Sequence, residues 1–195
     1  MSGDMDVLPH PHEVAALVES LVASEWPTSE AERLTWFQHH GLDARDSRRE
    51  WGDDGVDSFG ARGPERWGSP RSGWHTFEGE FVGVNWFLWL GGPPDAVGAA
   101  ARELCDRFSQ WAGEPVERVT PDNDPYRFTA LWEVAGRTID MYLHGGPFPG
   151  PGRVFVEDPV VQLHVDHTAR SHQASEAASL AQHDVPPSGA PEPPS

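Results

Sequence analysis

The chain has 195 residues and a formal charge of −17, with 31 acidic residues against 14 basic ones. Residues 1–170 hold 28 of those acids and every arginine, so the acidity is not confined to the tail. Nucleic acid and anionic membranes need a basic footprint and are disfavoured as partners; a basic protein partner, or solubility alone, fits the charge.

This length suits one domain with flexible ends, and nine Trp and nine Phe supply large packing units. The single Cys105 cannot form an intrachain disulfide and reads as a packed thiol. The amino terminus lacks an apolar signal core. No apolar run approaches the roughly 20 residues that span a bilayer, so a cytoplasmic location is expected.

Residues 1–10 read as a flexible lead. Pro11-His12-Glu13 opens a helix with Pro in its first turn. Val14, Leu17, Val18, Leu21 and Val22 continue it at helical spacing up to Pro27. Ser29-Glu30-Ala31-Glu32 has the form of a capping box for a second helix. His39 and His40 fall in its last turn, where cations suit the dipole, and Gly41 is its stop. The two helices are expected to form a hairpin. From Asp43 to Gly73 periodicity fails and six of the fourteen arginines gather. The stretch reads as a long loop pinned by Trp51 and Trp67, in which short strands can hide, for example around Val56–Phe59.

Trp74–Phe77 reads as a strand that turns through Glu78-Gly79-Glu80 into Phe81–Leu90, the most apolar run in the chain and the expected central strand. Asp95 is the expected N-cap of a helix to Trp111, whose inner face carries Val97, Ala100, Leu104, Phe108 and Trp111. Pro115–Arg118 is an edge-strand candidate. Arg127–Val134 and Arg137–His144, joined by Ala135-Gly136, form the clearest hairpin signal. Gly145–Gly152 is punctuation, Val154–Val156 a possible short strand, and Pro159–His167 the last strand. From Ser171 the composition turns polar and Pro-rich, so a disordered tail is expected, with at most a fraying helical turn at Ala174–Gln182. The fold expected is α+β: an antiparallel sheet of about five to six strands with helices packed on one face and an N-terminal helical hairpin.

Side chains alternate across a strand. Ile139, Met141 and Leu143 therefore oppose Asp140, Tyr142 and His144, and Val161, Leu163 and Val165 oppose Gln162, His164 and Asp166. In the central strand Phe81, Gly83, Asn85, Phe87 and Trp89 alternate with Val82, Val84, Trp86, Leu88 and Leu90. If these strands are neighbours, Asn85, Asp140, Tyr142, His144, Gln162, His164 and Asp166 form one polar patch, with Phe87 and Trp89 alongside. Three readings of that patch compete: an ordinary solvated sheet face, a protein-binding face, and a metal or hydrolytic site built on His144, His164 and Asp166. No HExxH, CxxC, GxSxG, P-loop or GxGxxG signature supports the third. No catalytic residue, metal ligand or cofactor is assigned.

Trp26-Pro27-Thr28-Ser29-Glu30, Phe81–Trp89, Trp132–Arg137 and Val161-Gln162-Leu163-His164 together resemble an uncharacterised family of small acidic proteins of actinomycete-type bacteria, over residues 11–168. Proteins of this kind resemble immunity proteins of polymorphic toxin systems, which are cytosolic and non-catalytic. The resemblance implies a non-catalytic binding domain that blocks a basic toxin domain; it carries over no site residues. The alternative is a metal-dependent or small-molecule enzyme using the His/Asp patch.

Overall fold

The structure is a computed structural model and describes residues 7–44, 49–53, 55–67, 70–120, 127–144 and 159–183. Its element order is α1 (Pro11–Ala23), α2 (Glu30–His39), β1 (Arg49–Asp53), β2 (Val56–Ala61), a 3-10 turn (Glu65–Trp67), β3 (Arg71–Phe77), β4 (Glu80–Leu88), α3 (Pro94–Ala112), β5 (Glu117–Val119), β6 (Phe128–Val134), β7 (Arg137–His144), β8 (Val160–His167) and α4 (Thr168–His183). The fold is α+β, and all neighbouring strands run antiparallel in the order β1-β2-β3-β4-β8-β7-β6-β5. The sheet thus has eight strands, not five to six. The additional strands come from the stretch 43–73: its described residues hold β2, where a short strand near Val56–Phe59 was expected, and β1, which was not.

The last strand lies in the middle of the sheet. β8 pairs with β4 on one side and β7 on the other. Its Val161, Leu163 and Val165 are fully buried. One core row crosses six strands: Phe59, Trp74, Val84, Val165, Ile139 and Trp132 stand opposite one another in register. Against this face lie Phe37 of α2, in ring contact with Trp74 and Phe81, and Phe108 of α3, whose ring meets Trp132 edge-on at 5.4 Å. Large apolar side chains of this kind each stabilise the fold by roughly 1.5–3 kcal/mol when buried.

The helices begin and end where their capping chemistry places them. The Ser29 hydroxyl accepts from the Glu32 amide, and the Glu32 carboxylate accepts from the amides of Thr28 and Ser29. Gly41 takes φ 68° after α2, a conformation that costs glycine nothing. Pro93, not Asp95, is the N-cap of α3; Asp95 lies in the first turn, where its charge suits the dipole. The expected helical hairpin is modified: α1 lies along α3, and its link to α2 is made by polar contacts. In these, Trp36 Nε1 donates to Ser24 Oγ at 2.8 Å, and Ser20 Oγ lies 3.2 Å from His40 Nδ1. His40 is buried, which holds its imidazole near pKa 4 and uncharged, so it is not the dipole-facing cation expected from its position.

Three further expectations change. The lead into α1 is tied down, because Trp89 Nε1 donates to the Pro9 carbonyl at 2.8 Å. Residues 171–183, expected to be disordered, continue the helix α4, which Arg170 anchors by donating to the carbonyls of Phe81 and Pro27. Cys105 is buried in α3, and burial raises its thiol pKa, in keeping with a packing role. Residues 1–6 of the lead, the loop expected at 121–125, the Pro/Gly stretch 145–152, the short strand expected at 154–156 and the tail from 184 lie outside the described residues. Among the described residues no helix is long and apolar enough to cross a membrane.

Candidate functional site

Directly paired residues of an antiparallel sheet share a face, so the register maps the side opposite the core. One row runs Gly60, Gly73, Asn85, His164, Asp140, Leu131 and Glu117 from β2 to β5. Beside it runs Ser58, His75, Gly83, Asp166, Thr138 and Glu133. On the other side Arg71, Phe87, Gln162, Tyr142 and Thr129 are aligned, and His144 follows opposite Val160. All seven residues predicted for the patch therefore share one face, on three adjacent strands. They are brought together because β8 inserts between β4 and β7.

The parity of the central strand fails at two points. Opposite His75 and Thr76 the register of β4 skips Val82, a bulge. It turns Phe81 from the polar face into the aromatic cluster of Trp26, Trp36, Phe37 and Trp74. At Trp89 the backbone takes φ 59°, and the indole expected beside Phe87 is buried against Pro9 instead.

Within the patch the side chains pair closely. Tyr142 donates a short hydrogen bond to Asp140. Gln162 Nε2 and His164 Nε2 are 2.7 Å apart. The Tyr142 ring stacks on His144 at 5.7 Å and meets His164 edge-on. His75, which was not among the predicted residues, completes the cluster. Its Nε2 lies 3.5 Å from Asp166 Oδ1, with the two side chains only 20% and 14% exposed. The two residues sit on either side of β4 and meet because Gly83 stands between them. A Cβ at Gly83 would fall 1.7 Å from Asp166 Oδ1.

Burial governs the charges of this cluster. It pushes the Asp166 carboxyl up to about 8, helped by the nearby charge of Asp140. It lowers His164 to about 4 and, reinforced by His164, lowers His75 to about 4. Asp140 is raised by burial against the opposing effect of the Tyr142 hydrogen bond. Burial raises Tyr142 and lowers His144. At neutral pH Asp166, His75 and His164 are thus all uncharged: desolvation outweighs the ion pair that Asp166 and His75 could form. The face is a half-buried hydrogen-bonding surface, not the ordinary solvated face that was one of its three readings. Its exposed carboxylates are at the margin, on Glu117 and Glu133.

Among the described residues no three His, Cys, Asp or Glu side chains converge as a metal centre requires. Next to the cluster, over β2–β4, the same face holds a cavity of about 430 Å³. The chain matches no protein-family model, no curated protein and no solved structure.

Proposed function

We propose that the chain is a non-catalytic binding domain that holds a basic protein segment against the polar face of its sheet, as an immunity-type inhibitor holds a toxin domain. The observation that carries this reading is the gathering of seven polar side chains on three adjacent strands, on the face turned away from the core. The chain's charge of −17 speeds encounter with a cationic partner. Glu117 and Glu133 at the margin receive its Arg or Lys side chains. The inner cluster then supplies short-range specificity: the Asp140–Tyr142 pair and the Gln162 amide offer hydrogen bonds, and Tyr142 and Phe87 offer flat apolar area.

Co-expression with a neighbouring toxin-domain gene tests the proposal. Rescue of growth and co-purification are expected, and Glu117→Arg combined with Tyr142→Ala abolishes both without unfolding the domain. Absence of rescue and of co-purification with the unaltered chain counts against it.

One observation favours a second reading, a small-molecule enzyme. A protonated Asp166 beside a neutral His75 is a proton donor–acceptor pair of the kind active sites assemble. Turnover of a substrate that is lost in Asp166→Asn and follows an ionisation near pH 8 would establish it.

A further inference from the structure

We infer that the cavity over β2–β4, which shares Asn85 and Phe87 with the proposed protein-binding face, is a binding site for a small aromatic carboxylate. The cavity measures about 430 Å³, within the range of about 300–1,000 Å³ typical of small-molecule sites. Its lining on this face is Ser58, Gly60, Arg71, Gly73, Asn85 and Phe87.

Five of these residues carry the argument: Gly60, Gly73, Asn85, Phe87 and Arg71. Gly60 and Gly73 stand directly opposite each other on β2 and β3, so two adjacent strands present bare backbone and the floor is flat. Glycine in a strand interior is found where a ligand or another part of the chain approaches the backbone closely. Gly73 could not carry a side chain: a Cβ there would fall 2.9 Å from the Phe59 carbonyl and 3.0 Å from Asn85 Oδ1. Asn85, next in the row, places its amide at one side of the floor. Phe87, half-buried, gives the same side a ring wall.

Arg71 selects the charge of the ligand. It is exposed at the lip, in register with Phe87. Its guanidinium is the cation of the lining and binds carboxylates through two parallel hydrogen bonds. In a chain of charge −17 a diffusing anion is repelled at long range, so an anion bound here owes its affinity to local contacts. A flat ring lying on the Gly60–Gly73 floor against Phe87, with its carboxylate turned to Arg71 and a ring substituent to Asn85, matches the charge, the amide and the ring that the cavity offers.

The test is titration of the ¹⁵N-labelled full-length chain with benzoate, indole-3-carboxylate and the neutral isostere benzamide, followed by amide chemical shifts. Saturable shifts at Gly60, Gly73 and Asn85 are expected with at least one carboxylate. Benzamide should bind at least tenfold more weakly than benzoate. The exposed Arg71→Gln variant should retain the spectrum of the folded chain and lose the preference for the anion. Equal binding of benzoate and benzamide, shifts centred on other residues, or no saturable shifts with either carboxylate overturns the inference. None of these results depends on whether a toxin partner exists, so the two proposals stand or fall separately.

Discussion

Gly83 is the residue on which the polar cluster turns. A methyl group there would meet Asp166 Oδ1 at 1.7 Å and the Val165 carbonyl at 2.7 Å, so Gly83→Ala forces movement of both a side chain and a neighbouring strand. Overpacking of this kind costs about 3 kcal/mol, measurable as a lower midpoint in urea. In an Asp166→Ala background the same change should cost less, because only the backbone contact remains; equal costs in the two backgrounds would remove the spatial link between Gly83 and Asp166. The partner across the glycine, His75, could not be read from the sequence. Alternation assigns a side chain to a face, but which residue faces Gly83 depends on a bulge at Val82, and no local residue preference marks that bulge. By contrast, all seven predicted residues on β4, β7 and β8 follow strict alternation, and their shared face was legible for that reason.

Elements were legible where period and punctuation agreed. α1, α2, α3, the β6–β7 hairpin and β8 all carry both signals. β2 carries neither strongly: each of its residues is half-buried, so no apolar alternation marks it, and only a short strand near Val56–Phe59 could be read. α4 lacks an apolar stripe, and its polar composition reads as disorder; Ala169, Ala174, Ala177 and Ala178 nevertheless favour helix, and Arg170 fixes its start. Two predictions belong at this scale. Ser29→Ala removes the acceptor for the Glu32 amide and should lower stability by about 1 kcal/mol. The β6–β7 turn has φ 51° at Ala135 and φ 72° at Gly136, the left-handed pair of a two-residue hairpin loop. Ala is a poor residue at the first of these positions, since left-handed backbone costs it roughly 1–2 kcal/mol. Ala135→Asn, in the sequence Asn-Gly, should therefore stabilise the chain by about 0.5–1 kcal/mol; an unchanged or lower denaturation midpoint would contradict the assignment of that turn.

At the scale of the molecule, the α+β class was legible but the strand order was not. The sequence places β8 last, and only long-range pairing inserts it between β4 and β7 and so assembles the patch. That insertion also buries His75, His164 and Asp166 together, and with His40, buried at the end of α2, they set how stability varies with pH. His40, His75 and His164 are held near pKa 4 by burial, below the ordinary 6.5 of histidine. Between about pH 4 and 6.5 the unfolded chain therefore binds more protons at these three sites, and stability falls as the solution is acidified. Asp166 acts in the opposite sense. Its carboxyl, raised from 3.8 to about 8, keeps its proton in the folded chain and loses it in the unfolded one across that interval. Its contribution is complete below about pH 4 and is lost as pH rises through 8. From pH 4 to 6.5 three histidines outweigh one carboxyl, so stability climbs; from 6.5 to 8 Asp166 alone of these four groups still titrates, so stability declines. The urea midpoint should accordingly peak near pH 6.5. Asp166→Asn keeps the shape of the side chain and removes its ionisation, so it should flatten the alkaline limb and leave the acid limb in place. An alkaline limb unchanged in Asp166→Asn would mean that the carboxyl is ionised in the folded chain, and that Asp166 and His75 meet as an ion pair instead of two neutral groups.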